Sequence, residues 1–323
     1  MKGRILVTGS AGFIGFNLIS QLLDKKISVI GIDNFSDNSE KKIKIKRCNL
    51  LKKHKNKKYF IFQKIDITND VLLSKLFKKY KFKKIIHLAA LAGVRNSFLK
   101  PKGYVDTNII GSFNILEKTK QFKIPHIIIA STSSVYGQKK KFPVRESDNT
   151  DRPISIYAAT KKSMEVISYV YSYNFNIKVT ILRFFTVYGP YGRPDMALYN
   201  FARNCKKNKF INLFNKGNHK RDFTYITDTT KAIESVIFSK KKLDNFDIFN
   251  VSNGKSVELK KYVSEIEKNL KKKIRKRLVT MQPGDVHKTH GSNNKLKKYF
   301  SYKPKVSVSE GVKKFIEWFK IYE

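Results

Sequence analysis

Cysteine is almost missing from this chain of 323 residues, with Cys48 and Cys205 the only two. They exclude a disulfide framework and have no metal-ligand spacing, so no metal site is expected and nothing argues for an oxidising compartment. Long apolar runs are missing too: no segment reaches the roughly 18 apolar residues of a membrane helix. Met1, Lys2 and Arg4 ahead of an apolar stretch resemble a short signal peptide, yet glycines and Thr8 interrupt that stretch. A soluble cytoplasmic protein without a membrane partner is the expectation. Acidic residues are scarce, 25 Asp+Glu against 67 Lys+Arg, which leaves a formal charge of +42 and a sequence pI near 10.1. Such a balance ordinarily suggests a nucleic acid or an anionic membrane as partner. The 41% hydrophobic and 13% aromatic residues point elsewhere, because they are enough to bury a core and exclude a solvated polycation.

At about 150 residues per domain, the length allows one large or two ordinary domains. Through the first half, short β-branched runs alternate with helical patterns, as in a parallel sheet with crossover helices. Strands are read at 5–7, 28–32, 59–63, 84–88, 126–130 and 178–183. Helices are read at 12–24, 104–122 and 154–174, with a Lys-rich helical stretch between the second and third strands. The expected fold is α/β: a doubly wound parallel, Rossmann-type sheet over residues 1–188, with a smaller mixed α/β substrate-binding domain over 189–323. The boundary is expected to interleave, with short segments near 225–255 returning to the first domain. Lysine blocks at 52–58, 240–242 and 271–277 are the low-complexity feature.

Thr8-Gly9-Ser10-Ala11-Gly12-Phe13-Ile14-Gly15 follows the first strand and opens the first helix. Gly9, Gly12 and Gly15 permit a tight turn, close approach to a pyrophosphate and close helix–strand packing, while free N–H groups at Phe13 and Ile14 bind phosphate. Asp33, with Asn34 beside it, ends the second strand, where a carboxylate accepts hydrogen bonds from the adenine ribose hydroxyls. A carboxylate there repels the 2′-phosphate of NADP, so NAD is the expected cofactor, tightly held. Arg47 and the nearby lysines offer a competing phosphate site.

Tyr157 and Lys161 stand four apart on a predicted helix, hence on one face. An ammonium beside a phenol favours phenolate, lowering its pKa so that it can take a proton from a substrate hydroxyl. Spacing alone decides nothing, since Tyr80/Lys84, Tyr136/Lys140 and Tyr299/Lys303 share it. Only Tyr157 lies on a helix following the fifth strand, whose end carries Ser131-Thr132-Ser133-Ser134 at the edge where α/β sheets place ligands. Thr132 is the chosen hydroxyl partner, with Ser133 and Ser134 close behind on the substrate side.

At these residues the sequence resembles the extended short-chain dehydrogenase/reductase family, through TGSAGFIG (8–15), HLAALAGV (87–94), STSSVYG (131–137), YAATK (157–161), RFFTVYGP (183–190), RDFTYI (221–226) and PGD (283–285). Within it the chain looks most like the UDP-glucuronate 4-epimerases, the distinctive stretch being Thr186 to Ala197. The resemblance implies that Asp66 and Ile67 flank the adenine and that Leu88, Ala89 and Ala90 line the cofactor. It further implies that Arg221 and Asp285 hold the UDP moiety, that Phe214 packs on uracil, and that two helices of the first domain pair in a homodimer. Residue chemistry adds Arg193, whose guanidinium can bind a carboxylate bidentately, with Thr186 as a hydrogen-bond donor on the sugar. The alternative for Arg193 is a domain-joining salt bridge; Arg95 contacts phosphate or caps a helix. The reaction so implied is NAD-dependent C4 epimerisation between UDP-glucuronate and UDP-galacturonate through a transient 4-keto sugar, a supply of galacturonate for a polysaccharide. UDP-glucuronate decarboxylation and 4-epimerisation of a neutral UDP-sugar stay open. A 4,6-dehydratase is disfavoured because Ser133-Ser134, not Asp-Glu, follows Thr132. A basic NAD-fold scaffold binding nucleic acid is the reading from another class. Against it, the sequence has no helix-turn-helix, zinc-finger spacing or RNA-binding aromatic signature.

Overall fold

Ile127, Ile128 and Ile129 are fully buried and β-branched on both faces, the composition of a central parallel strand. In the computed structural model, which describes residues 3–36, 41–241 and 243–323, they sit in the middle of a seven-stranded sheet. Met1 and Lys2 of the basic N-terminal stretch and Lys242 of the second lysine block lie outside the described residues. The strands are β1 (Arg4–Thr8), β2 (Val29–Asp33), β3 (Phe60–Lys64), β4 (Phe82–His87), β5 (His126–Thr132), β6 (Lys178–Phe184), β7 (Thr186–Tyr188), β8 (Ile211–Leu213), β9 (Lys220–Tyr225), β10 (Phe246–Val251), β11 (Ser256–Glu258) and β12 (Lys276–Leu278). The main sheet is all parallel in the order β10-β6-β5-β4-β1-β2-β3. The order reverses between β1 and β4, the switch point where doubly wound sheets bind ligands at their carboxyl ends. A three-stranded sheet, β11-β9-β7, and a two-stranded one, β12-β8, stand beyond that edge.

The helices are α1 (Phe13–Asp24), α2 (Lys41–Lys52), α3 (Asp70–Lys79), α4 (Val94–Leu99), α5 (Pro101–Val105), α6 (Gly111–Gln121), α7 (Ile156–Phe175), α8 (Ala197–Lys206), α9 (Ile226–Ile237), α10 (Leu259–Leu270), α11 (Asn294–Phe300) and α12 (Val308–Tyr322). On one face of the sheet, Leu18, Ile19 and Leu22 of α1 meet Ile233 and Val236 of α9. On the other, Leu76 and Phe77 of α3, Ile115 of α6 and Met164 of α7 share a core with Ile85 and Ile127. Each such side chain contributes about 1.5–3 kcal/mol by leaving water. A third cluster, including Tyr199, Phe223, Tyr262 and Phe315, packs α8, α10 and α12 around β9.

Six strands were legible in the sequence; the seventh, β10, is an edge strand built from a short mixed segment and pairs Phe246 with Val179. The single helix expected over 104–122 is instead α5, a π-helical turn at Asp106–Ile110, and α6. The wider turn accompanies the buried Asn108, whose amide bonds leave the helix: Nδ2 donates to Leu91 O and to Thr160 Oγ1, both at 3.0 Å, and Oδ1 accepts from Leu91 N at 2.8 Å. α3 was not read from the sequence; Asn69 caps it by accepting from Leu72 N at 2.9 Å.

Candidate functional site

The carboxyl ends of β1, β2, β4 and β5 open into a cleft of about 850 Å³, which runs from the glycine turn to β9 and the 283–290 segment. Gly9 has φ +69°, and a Cβ there would lie 2.8 Å from Ala89 N; a Cβ on Gly15 would lie 2.2 Å from Gly9 O. Glycine is therefore required at both positions for the turn to lie against β4 and α1. No side chain caps α1 at Gly12, so the first-turn N–H groups at Phe13, Ile14 and Gly15 have no intrahelical acceptor and face the cleft. Asp33, at the end of β2, is buried and accepts from Ala11 N at 3.1 Å and Phe35 N at 2.8 Å, with Lys44 Nζ 3.4 Å away. Asn34 Nδ2 donates to Asp66 Oδ2 at 2.6 Å. Burial would raise the Asp66 carboxyl, but hydrogen bonds from Thr68 and Asn34 outweigh it and hold it below its usual range. Ile67, Leu88, Ala89 and Ala90 line the same end of the cleft.

Arg47 forms no competing phosphate site. It is fully buried, and its guanidinium donates to Ala11 O (3.1 Å), Tyr191 O (2.6 and 3.1 Å) and Gly192 O (3.1 Å), tying the glycine turn to the 189–193 loop. Burial pulls its pKa down to about 10. The sequence showed a cation near Asp33; it did not show that backbone carbonyls consume it.

Ser155 caps α7, accepting from Ala158 N at 3.2 Å, and thereby sets Tyr157 at the helix start and Lys161 one turn further in. Thr132 ends β5 and accepts from Ser134 N at 3.1 Å, and its own hydroxyl reaches Ser134 Oγ at 3.2 Å. Burial pushes the Tyr157 phenol up; the hydrogen bond from Thr132 and the charge of Arg193 oppose that rise. The Lys161 ammonium is turned along α7, where its hydrogen bond runs to Met164 Sδ at 3.5 Å. It is 2% exposed, and burial brings it down to about 8 against the opposing effect of Glu165. Among the described residues, a buried ammonium whose hydrogen bond runs to a thioether, an uncapped helix start and a buried Ser10 Oγ without a partner fit a ligand carrying ribose hydroxyls and phosphates. NAD is such a ligand, and the cleft from Gly9 to Lys161 can hold it.

Further along the cleft, Arg193 makes a bidentate pair with Asp195, at 3.0 and 2.6 Å, and donates to Ala92 O at 3.2 Å. The salt bridge is thus local, and the link to the first layer of the fold is the Ala92 carbonyl. Thr186 lies on β7 in the same wall. Arg221 Nη2 donates to Asp285 Oδ1 at 2.7 Å, so the two residues expected to hold one ligand hold each other. Among the described residues Arg95 caps no helix; its guanidinium covers one face of the Phe214 ring, 4.4 Å from the centroid. Ser133 and Ser134 form the turn after β5 and face the cleft.

Residues 6–315 match the family described as GDP-mannose 4,6 dehydratase. The chain belongs to this family. The extended short-chain dehydrogenase/reductase resemblance is thereby established over nearly the whole chain. The UDP-glucuronate 4-epimerase of Thermodesulfobacterium geofontis is 39% identical over 98% of this chain and 96% of its own. A crystal structure of UDP-glucuronic acid 4-epimerase from Bacillus cereus, in complex with UDP-glucuronic acid and NAD, superposes with a TM-score of 0.93 at 34% identity, covering 99% of this chain and all of that one. The UDP-glucose 4-epimerase of Thermotoga maritima, solved with UDP-glucose, gives 0.89 at 28% identity, covering 98% and 99%.

Four site residues were not read from the sequence. Asn108 pins the 91–93 loop. Tyr104 donates to Ala92 O and Gly93 O at 3.1 and 3.0 Å and packs edge-on against Tyr157. Asp195 balances Arg193, and His219 lines the Arg221 end. A polar Asn inside a helical pattern was the available signal for the first; the others gave none.

Proposed function

We propose that this protein interconverts UDP-glucuronate and UDP-galacturonate by C4 epimerisation, with NAD as resident cofactor. The observation that carries the reading is the placement of Tyr157, Thr132, Arg193 and Thr186 around one cleft that also holds the glycine turn and Arg221. The epimerase relatives solved or named with UDP-glucuronic acid and NAD support it.

Asp33, Asn34, Asp66 and Ile67 hold the adenosine end of NAD, the Gly9–Gly15 turn its pyrophosphate, and Lys161 the nicotinamide ribose, with Leu88, Ala89 and Ala90 along the side. NAD, when bound, accepts the C4 hydrogen and returns it. Tyr157 takes the proton of the C4 hydroxyl as phenolate, and the Thr132 hydroxyl turns from Ser134 to the same oxygen. Arg221 and Asp285 anchor the UDP end while the keto sugar rotates and presents its other face, and Phe214 packs on the uracil from the face that Arg95 leaves open. After the return, Tyr157 gives the proton back.

Arg193 and Thr186 hold the sugar carboxylate, which displaces Asp195 from the guanidinium. That grip has a second use. A 4-keto uronate is a β-keto acid and loses CO₂ most easily when the bond to the carboxylate stands perpendicular to the carbonyl plane; a bidentate guanidinium keeps it from that geometry. Replacing Arg193 with Ala is expected to raise KM for UDP-glucuronate about tenfold or more and to release some UDP-pentose. Chromatography of the nucleotide sugars reads both, and unchanged affinity with no pentose sinks the role. Incubating the purified protein with UDP-glucuronate and no added NAD tests the function itself: UDP-galacturonate is expected, UDP-xylose marks a decarboxylase, and no turnover overturns both.

The same reading places the enzyme in the cytoplasm, where free thiols such as those of Cys48 and Cys205 persist. It also makes the protein a homodimer. Val166, Tyr169, Val170 and Tyr173 form an exposed apolar stripe at helical spacing along α7, extended by Ile110 and by Phe113 of α6. Two neighbouring helices running in the same direction, α6 and α7, form a face that a second copy can meet by a twofold rotation, an economical cover for apolar surface on a molecule of +42. The double substitution Val170→Lys with Tyr173→Lys is expected to yield a folded monomer, read by light scattering after size exclusion; a dimer that persists contradicts this interface.

A further inference from the structure

The Arg221–Asp285 pair poses a problem for any anion that uses Arg221. Asp285 Oδ1 accepts from Arg221 Nη2 at 2.7 Å and from Val286 N at 3.0 Å, and its other oxygen lies 3.7 Å from His219 Nε2. The His219 side chain is 5% exposed, lines the cleft, and its Nε2 has no hydrogen-bond partner among the described residues. If Arg221 turns to a diphosphate, Asp285 keeps one backbone N–H and becomes an uncompensated carboxylate in a site that leaves it 23% exposed, which is disfavoured. The nearest group that can replace the lost charge is His219.

We infer that His219 is the counter-ion exchanger of the nucleotide site, taking up a proton as the substrate diphosphate draws Arg221 away from Asp285. This rests on the reading of Arg221 as the diphosphate anchor. The proton comes from solvent and adds to the imidazole, so that both ring nitrogens carry hydrogen and Nε2–H faces Asp285 Oδ2; no other bond changes. The groups facing His219 set the sign. Arg221 of the adjoining strand β9, His287 of the segment bonded to Lys220 and Arg221, and Arg95 of α4 disfavour the imidazolium, whereas Asp285 favours it. From α10, Leu259 N–H binds the His219 carbonyl at 2.8 Å, and the Lys260 side chain lies over the nearby Gly217. In the free site, burial and then Arg221 hold the imidazole below its ordinary pKa, so it is neutral at neutral pH. Once Arg221 leaves and an anion arrives, the balance turns to Asp285 and the pKa rises. Uptake is greatest between those two values and vanishes beyond either.

The test is calorimetric titration of UDP-glucuronate into Tyr157→Phe holoenzyme, which neither turns the ligand over nor exchanges a tyrosine proton. UDP-glucuronate suits it because its diphosphate carries no group that titrates near neutrality. The observed enthalpy, plotted against the ionisation enthalpy of several non-phosphate buffers at pH 7, is expected to show uptake of roughly 0.5–1 proton per site. The slope is expected to fall close to zero in His219→Gln and His219→Met, and also in Asp285→Asn, with NAD content reporting that each variant is folded. Binding with no buffer dependence, or uptake that survives the His219 substitutions, overturns the exchange while leaving the substrate assignment standing. Failure of UDP-glucuronate to bind overturns both.

Discussion

Tyr157→Phe is expected to lower kcat by about 10²–10⁴ while leaving bound NAD and the affinity for UDP-glucuronate nearly unchanged. The phenyl ring keeps its packing against Tyr104, so only the hydroxyl is lost. Direct turnover and the NAD absorbance of the purified protein measure the two halves; an active Tyr157→Phe enzyme removes Tyr157 as the base. The pH profile follows from the surroundings. Burial raises the phenol, and the base form is the working one, so kcat should climb with pH, near tenfold per unit, until the phenol ionises. Thr132→Val deletes a hydrogen bond that favours the phenolate and should move that limb to higher pH. Lys161→Met should instead weaken NAD retention, because the ammonium is turned along α7 to Met164 and is buried where cofactor hydroxyls would serve it.

The residues that were legible in sequence are those whose chemistry is tied to backbone: the turn glycines, the carboxylate at the end of β2, and the hydroxyls at the end of β5. Each is dictated by local geometry that a strand–turn–helix pattern already reveals. What stayed hidden depends on partners far along the chain. Arg47 is spent on the carbonyls of Tyr191 and Gly192, and His219 matters only because Asp285 arrives from a distant loop. The π-helical turn accompanies Asn108 reaching Leu91 and Thr160, which no periodicity announces. In edge strand β10, Asp247 and Asn250 interrupt the apolar run that marks a central strand. The +42 charge, prominent in the composition, belongs largely to side chains outside the cleft, which is lined by only a handful of cations, Arg193 and Arg221 among them.

The largest effect on stability is expected at Glu165, outside the reacting groups. Arg183 and Glu165 are each 2% exposed and pair bidentately, Nε to Oε1 at 3.0 Å and Nη2 to Oε2 at 2.7 Å. Ser131 Oγ donates to Glu165 Oε1 at 2.5 Å, Arg183 Nη1 reaches Tyr136 OH at 3.1 Å, and that hydroxyl donates to Asn250 Oδ1 at 2.7 Å. The network therefore ties α7, β5, β6 and β10 together beneath the cleft. Glu165→Leu strands a guanidinium in the interior and should cost about 3–5 kcal/mol, a fall in Tm of roughly 5–15 °C. Adding Arg183→Met removes the stranded charge and should recover most of that loss, since a buried pair replaced by apolar groups of similar volume is often neutral. If the double variant is as unstable as the single one, the network stabilises through its hydrogen bonds to Ser131 and Tyr136 and not through the charge pair. Activity separates further. Glu165 lies one helical turn beyond Lys161, and β6 leads directly into Thr186, so a stable double variant with lowered kcat would mean that this buried pair also aligns the two walls of the cleft.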